Sequence, residues 1–159
     1  KQNPDKLIHF FNYASQRMDK VKFHIFSAGD IFISLKKNNK NPNIILHDLV
    51  PVNNIRELYY RSDVQIIPQA KETSGGSLPS KLPNLVACNT KMLLITDKGS
   101  EIESFFIKYN LGVVVNDWHN IKLFTGLEEV LCKRELEEVK TTNIARKYFS
   151  LESLVNKII

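Results

Sequence analysis

Gly75 and Gly76, followed within five residues by Ser80 and Lys81, are the residues of this 159-residue chain best suited to chemistry. They stand between an apolar run, Val64 to Ile67, and a helical run, Ser80 to Cys88. A glycine loop joining the carboxyl end of a strand to the amino end of a helix presents unpaired N–H groups and the positive end of the helix dipole. That arrangement suits an anion, above all a phosphorylated ligand, although glycines also build ordinary turns. With Ser80 as N-cap, Lys81 falls at the first helical position, where a cation opposes the dipole by ~0.3–1 kcal/mol. A bound phosphate would reverse the sign of that interaction. The plainer alternative is a surface lysine whose long stem carries its charge into water. Pro83, at the third helical position, is tolerated because its missing N–H would have no intrahelical partner.

The elements that must position these residues follow from periodicity. Asn3-Pro4-Asp5 is a helix start, and Leu7, Ile8, Phe11, Ala14 and Met18 recur at helical spacing. Val21 to Ala28 reads as a strand ending at Gly29, Ile31 to Asn38 as a helix, and Asn43 to His47 as a strand. Asn54 with Glu57 resembles a capping box for a helix over Ile55 to Arg61, and Ser100 with Glu103 resembles another. Between those boxes lie a strand at Val64 to Ile67, a helix at Ser80 to Cys88 and a strand at Met92 to Thr96. The helix opened by Ser100 carries Ile102, Phe105, Phe106 and Tyr109, and Gly112 to Val115 is the last strand. Helices are expected over His119 to Lys133, Glu135 to Phe149 and Leu151 to Ile158. Five short Val/Ile/Leu-rich strands alternating with helices specify a parallel sheet covered on both faces. The fold class is therefore α/β, a Rossmann-like doubly wound parallel sheet with extra carboxyl-terminal helices.

At 159 residues the chain is expected to form one domain, residues 1–159. Such domains usually begin with a strand, whereas this chain begins with a helix. It therefore reads as a piece of a longer protein, cut just inside its first βα unit. No apolar stretch reaches the ~18 residues of a membrane span. The two cysteines, Cys88 and Cys132, each sit in an apolar helical context and read as buried, reduced thiols in a cytoplasmic protein. The net charge of +5 is spread among acids, as in Lys133 to Glu138, and no basic stripe interleaved with aromatics points to nucleic acid. An anionic membrane surface is compatible with this charge but not demanded. His9, His24, His47 and His119 are isolated in sequence and read as structural or surface residues, with no metal-ligand spacing. Glu101 reads as a first-turn acid, and Asp63 and Asp97 as turn formers.

The runs Leu58 to Pro68, Pro79 to Cys88, Gly99-Ser100-Glu101 and Leu111 to Val115 together resemble the carboxyl-terminal domain of family-4 retaining glycosyltransferases. The colanic-acid-type members are similar in carrying a Pro-Ser-Lys-Leu-x-Asn helix start. Lys1-Gln2 resembles the turn before the family's first helix, and Ala145 to Glu152 resembles its final helices. The likeness covers nearly the whole chain; its motifs are short, and their order and spacing carry the specificity. It implies one half of a two-domain GT-B enzyme that binds a nucleotide-sugar donor, a UDP-sugar ahead of a GDP-sugar. An absent amino-terminal domain would bind a glycan or lipid-linked acceptor in surface-polysaccharide synthesis. No metal and no cofactor are implied, basic side chains and helix N–H groups stabilising the departing diphosphate. Such an enzyme would work in the cytoplasm at the inner face of the membrane, with any peripheral attachment made through the missing domain.

The same resemblance distributes roles. Lys1 matches a phosphate-binding lysine, and Glu72, four residues past Pro68, matches the first loop glutamate. Gly75, Gly76 and Ser77 match the loop that meets the sugar and phosphate, while Ser80 and Lys81 would hold the diphosphate. Asn84 stands where many members place a second glutamate on the ribose diol, so an amide replaces the stronger charged acceptor. The interval from Glu72 to Asn84 also exceeds the family's usual glutamate spacing. Leu49 and Val50 fall where members meet the base through backbone. Each has a bland rival: Glu72 as a solvated loop charge, Asn84 as an amide packed within its helix. Two other functions stay open, a non-catalytic transferase-like module and a nucleotide-sugar epimerase or hydrolase.

Overall fold

A computed structural model describes residues 3–69, 78–133 and 138–149. Its elements run α1 (Pro4–Ser15), β1 (Phe23–Phe26), α2 (Asp30–Asn38), β2 (Ile44–His47), a 3-10 turn (Val52–Asn54), α3 (Ile55–Tyr60), β3 (Gln65–Pro68), α4 (Leu82–Ala87), β4 (Met92–Ile95), α5 (Glu101–Tyr109), β5 (Val113–Val115), α6 (Asn120–Cys132) and α7 (Glu138–Phe149). Every strand pair is parallel, and strands alternate with helices, so the α/β class with parallel pairing holds. The pairing falls in two sheets, β1-β2 and β3-β4-β5. The chain correspondingly divides into two compact units, Pro4–Ile55 and the chain from Arg56 onward.

The first unit is organised by aromatics. Phe10, Phe11 and Ala14 recur on one face of α1 and are buried, and the Phe11 ring stacks on Phe23 of β1 at 4.2 Å. Phe23 pairs with Ile44 and Phe26 with His47 in the β1-β2 register. Gly29, at φ 97° and ψ 173°, opens α2 in a region of backbone space that essentially only glycine enters. Asn41 ties the turn before β2 to α1, donating to Asn12 Oδ1 and Ser15 Oγ at 2.8 Å each. The helix ends at Ser15 and not at Met18; Arg17 and Met18 turn back onto the Ala14 carbonyl.

In the second unit the core is β4, whose four residues are all buried, with β3 and β5 on either side. Ile102 and Phe106 of α5, Leu123, Leu127 and Val130 of α6, and Leu82, Leu85 and Val86 of α4 supply the buried helix faces. Ser100 caps α5 as expected, its Oγ accepting from Glu103 N at 3.2 Å, while the Glu103 carboxylate accepts from the Gly99 N–H, one residue before the cap, and not from Ser100 itself. Asn110, at φ 52°, closes α5 in the left-handed conformation. The expected Asn54–Glu57 box does not form; Asn54 lies in the 3-10 turn, and Glu57 pairs with Arg61 at 2.7 Å. Cys132, expected to be buried, is exposed, because it sits in the last turn of α6; Cys88 is half-buried. The helix expected over Leu151 to Ile158 lies outside the described residues.

Two glycines set close approaches. A Cβ on Gly112 would lie 2.1 Å from the Met92 carbonyl oxygen, and one on Gly126 2.6 Å from Val115 Cγ2. The first obstacle is backbone of the central strand, while the second is the end of a side chain. Gly112→Ala should therefore lose at least about 1–3 kcal/mol in urea unfolding. Gly126→Ala should lose less, because leaving glycine in a helix interior returns about 1 kcal/mol of propensity. Equal losses would mean that β4 yields as easily as a valine methyl.

Candidate functional site

In a parallel unit the strands' carboxyl ends share one edge, where α/β sheets bind ligands. In the second unit this edge is held by polar residues that follow the three strands. Thr96 Oγ1, after β4, donates to Gln69 Oε1, after β3, at 2.7 Å. With that proton committed, the 3.1 Å contact between Thr96 Oγ1 and Ser100 Oγ has Ser100 as donor. Asn116, after β5, donates to the Thr96 carbonyl at 3.2 Å. Sequence reading drew only Ser100 from this set, as a cap. The signal for the others was positional: each is the first polar residue after an apolar strand.

The Pro-Ser-Lys turn, which comes between β3 and α4 in the chain, has a geometry that differs from the sequence expectation. Ser80 lies in the turn and Lys81 is itself the N-cap, at φ −78° and ψ −17°, without a side-chain capping bond. Proline explains the displacement. The Pro79 carbonyl accepts the Leu82 N–H at 2.9 Å in a tight turn, and since Pro83 has no N–H the first bond of the helix runs from Leu85 N–H to the Lys81 carbonyl at 3.1 Å. Helix α4 is accordingly short, Leu82–Ala87, with Leu82 and Leu85 fully buried.

Lys81 points inward. Its ammonium donates to the Ile66 carbonyl at 3.0 Å. The Gln65 and Gln69 N–H groups bond to Lys91 and Ile95 beside β4, so the backbone groups of Ile66 face the opposite, outer edge of β3. Pro68 has the same parity and costs the ladder no donor. Lys81 therefore caps the outer edge of β3. Burial pushes its pKa from 10.5 down to about 8, because the cation has left part of its water.

Ser80, Lys81 and Asn84 share this turn and helix, with Ser80 and Asn84 exposed. Leu49 and Val50 follow β2 in the first unit, Leu49 66% exposed and Val50 half-buried. Lys1, Glu72, Gly75, Gly76 and Ser77 lie outside the described residues. Among the described residues no group of three or more His, Cys, Asp or Glu side chains could hold a metal, and no helix is long and apolar enough to cross a membrane. Two histidines expected to stand alone do not. His24 Nδ1 and His47 Nε2 are 2.9 Å apart on adjacent strands, with Phe26 stacked on His47 at 4.5 Å. Burial first, then the charges of His47 and Lys22, lower the pKa of His24. The parallel register created this pair, since His24 aligns with Ile45 and Phe26 with His47. No protein-family model matches this sequence, and no curated protein matches it.

The Lys81 burial has a pH signature. The unfolded chain holds this proton up to about pH 10.5 and the folded chain only to about pH 8, so unfolding takes up a proton between those values. The cost to folding is full below pH 8 and is relieved as pH rises towards 10.5. Relative to Lys81→Met, the wild-type chain should gain on the order of 2 kcal/mol between about pH 7.5 and about pH 10 in urea unfolding. A difference that is flat with pH would mean that the ammonium is solvated in solution.

Proposed function

We propose that this chain is the donor-binding domain of a glycosyltransferase, holding a nucleotide-sugar whose glycosyl group passes to a glycan or lipid-linked acceptor. The observation that carries the reading is the placement of Lys81. It opens the helix that follows β3 and the loop with the glycine pair, in a parallel α/β unit, and its side chain is half-buried, with burial lowering the pKa of its ammonium. Glycosyl transfer leaves charge on a departing diphosphate, and a cation already partly desolvated and fixed stabilises that charge without reorganisation. The exposed Ser80 hydroxyl and Asn84 amide beside it supply hydrogen bonds for phosphate or ribose oxygens. The family likeness of the Pro-Ser-Lys-Leu-x-Asn run supports a UDP-sugar ahead of a GDP-sugar, no metal or cofactor, and surface-polysaccharide synthesis.

One observation favours a second reading, a transferase-like module without catalysis. The Lys81 ammonium already has an acceptor, Ile66 O, which engages one of its three N–H donors in covering the edge of β3. Nothing comparable favours an epimerase or hydrolase.

Calorimetric titration of the chain with UDP, GDP and their sugars separates the two. The donor-site reading expects saturable binding that Lys81→Met weakens at least roughly tenfold, the worth of a hydrogen bond to a charged group. Binding that Lys81→Met leaves unchanged, or no binding by the wild-type chain, rejects the donor site at Lys81 and leaves the non-catalytic module.

A further inference from the structure

A groove of about 450 Å³ runs along one face of α2, past Gly29, Phe32, Ile33, Lys36 and Lys37, with Asp48 on its far wall. The helix residues recur at spacings of three and four, so they share one side of α2. The groove combines two features that rarely coincide. Its apolar part is open to water at Ile33, which is 62% exposed, and Leu49, which follows Asp48 outside the lining, is 66% exposed. Its polar part is cationic: Lys36 and Lys37 line it, and exposed Lys40 follows three residues on.

The acid in the groove does little to quench this charge. Lys36 Nζ meets Asp48 Oδ1 at 3.4 Å with side chains 50% and 88% exposed, a pair screened by solvent. Lys36 Nζ also lies 5.7 Å from the Phe32 ring centroid, so its stem covers apolar surface while its head stays wet. Among the described residues Lys37 has no ion-pair partner. Asp30 sits in the first turn of α2, where the helix dipole favours an acid. Residues 4–55 hold seven Lys and Arg against four Asp and no Glu, so the excess charge of the unit is positive.

A small anion would use the lysines but not the exposed isoleucine and leucine, and an apolar partner would use those but not the lysines. An anionic bilayer surface uses both, because headgroup phosphates lie directly above acyl chains. We propose that this face of α2 docks on an anionic lipid bilayer, with Lys36 and Lys37 at the phosphates and Ile33 and Leu49 at the acyl boundary. Ile31, 66% exposed, projects from another side of α2 and takes no part. The docking face shares no residue with the Lys81 turn, and Leu49, which the resemblance sets against the base through its backbone, would enter the bilayer by its side chain, so failure of the face would leave the donor-site reading intact.

Co-sedimentation of the 159-residue chain with vesicles tests it. The expected result is binding to phosphatidylcholine vesicles containing phosphatidylglycerol, weak binding to phosphatidylcholine alone, and loss in high salt. The double variant Lys36→Glu/Lys37→Glu should bind at least roughly tenfold more weakly, from about a factor of five for each lysine removed. Ile33→Ser should also weaken binding; its site is exposed, so its circular dichroism should match the wild type. Equal binding to both vesicle types, or anionic binding that the double variant leaves unchanged, overturns the proposal. No vesicle binding together with a dimer that Ile33→Ser dissociates would overturn it too, and assign the face to a second copy of the chain.

Discussion

Parallel strands cannot be joined by a tight turn; the chain must cross back over the sheet before it can pair again. That constraint orders this molecule. Each crossing inside the second unit is a helix, α4 between β3 and β4 and α5 between β4 and β5, and each helix must bury a face on the sheet it has crossed. Every strand of that three-stranded sheet then ends at the same edge. Gln69, Thr96 and Asn116, far apart in sequence, become hydrogen-bonding neighbours because each follows a strand of one parallel sheet. The glycine contacts belong to the same logic: α6 can lie against β5 and β4 only where Gly126 presents no side chain to Val115 and Leu93.

The constraint has a second consequence at the sheet's margin. The outermost strand carries a row of unpaired backbone groups, which proteins cover or blunt. On β3 the outward row contains Pro68, which has no N–H, and Ile66, whose carbonyl takes the Lys81 ammonium. Lys81 is thus an element of edge protection as well as the residue best placed to meet an anion. The two roles use the same ammonium, whose three N–H donors can be divided between the carbonyl and an anion.

Much of this was legible in the sequence, and the failures have physical causes. All five strands and the order of helices followed from apolar runs and their periods, since alternation with helices leaves few other ways to bury Val/Ile/Leu strands. The Ser100 cap was legible because a capping box is local chemistry. The start of α4 was not, because a tight turn closed on the Pro79 carbonyl and the first helical bond fell on the Lys81 carbonyl, so that Ser80 lost the capping position to Lys81. The division of the strands between two sheets was not legible either, because strand content does not say which strands pair. The His24–His47 pair and the Thr96 cluster depend on register and on a common edge, which no local window contains. At the candidate site the residue types around Lys81 were readable; the direction of its side chain was set by a carbonyl fifteen residues away.

That direction bears on what Lys81 is for. Among the described residues three other lysines also reach backbone carbonyls: Lys22 to Pro42, Lys91 to Leu131 and Lys133 to Gly112. Lys22 does so from an exposed position, and Lys133 keeps Glu129 3.6 Å away. Capping a carbonyl therefore does not by itself require a lysine to surrender its water. Lys81, half-buried, gives up part of it, as its lowered pKa reflects, and among the described residues no carboxylate pairs with it. A partly desolvated cation without a counter-charge is an expense to the folded state unless something negative arrives to offset it. Proteins concentrate such unfavourable groups at sites where a ligand completes the electrostatics. A diphosphate at the head of α4 would supply the missing charge, which is why the burial of Lys81 supports a ligand-binding role more strongly than an edge-capping one.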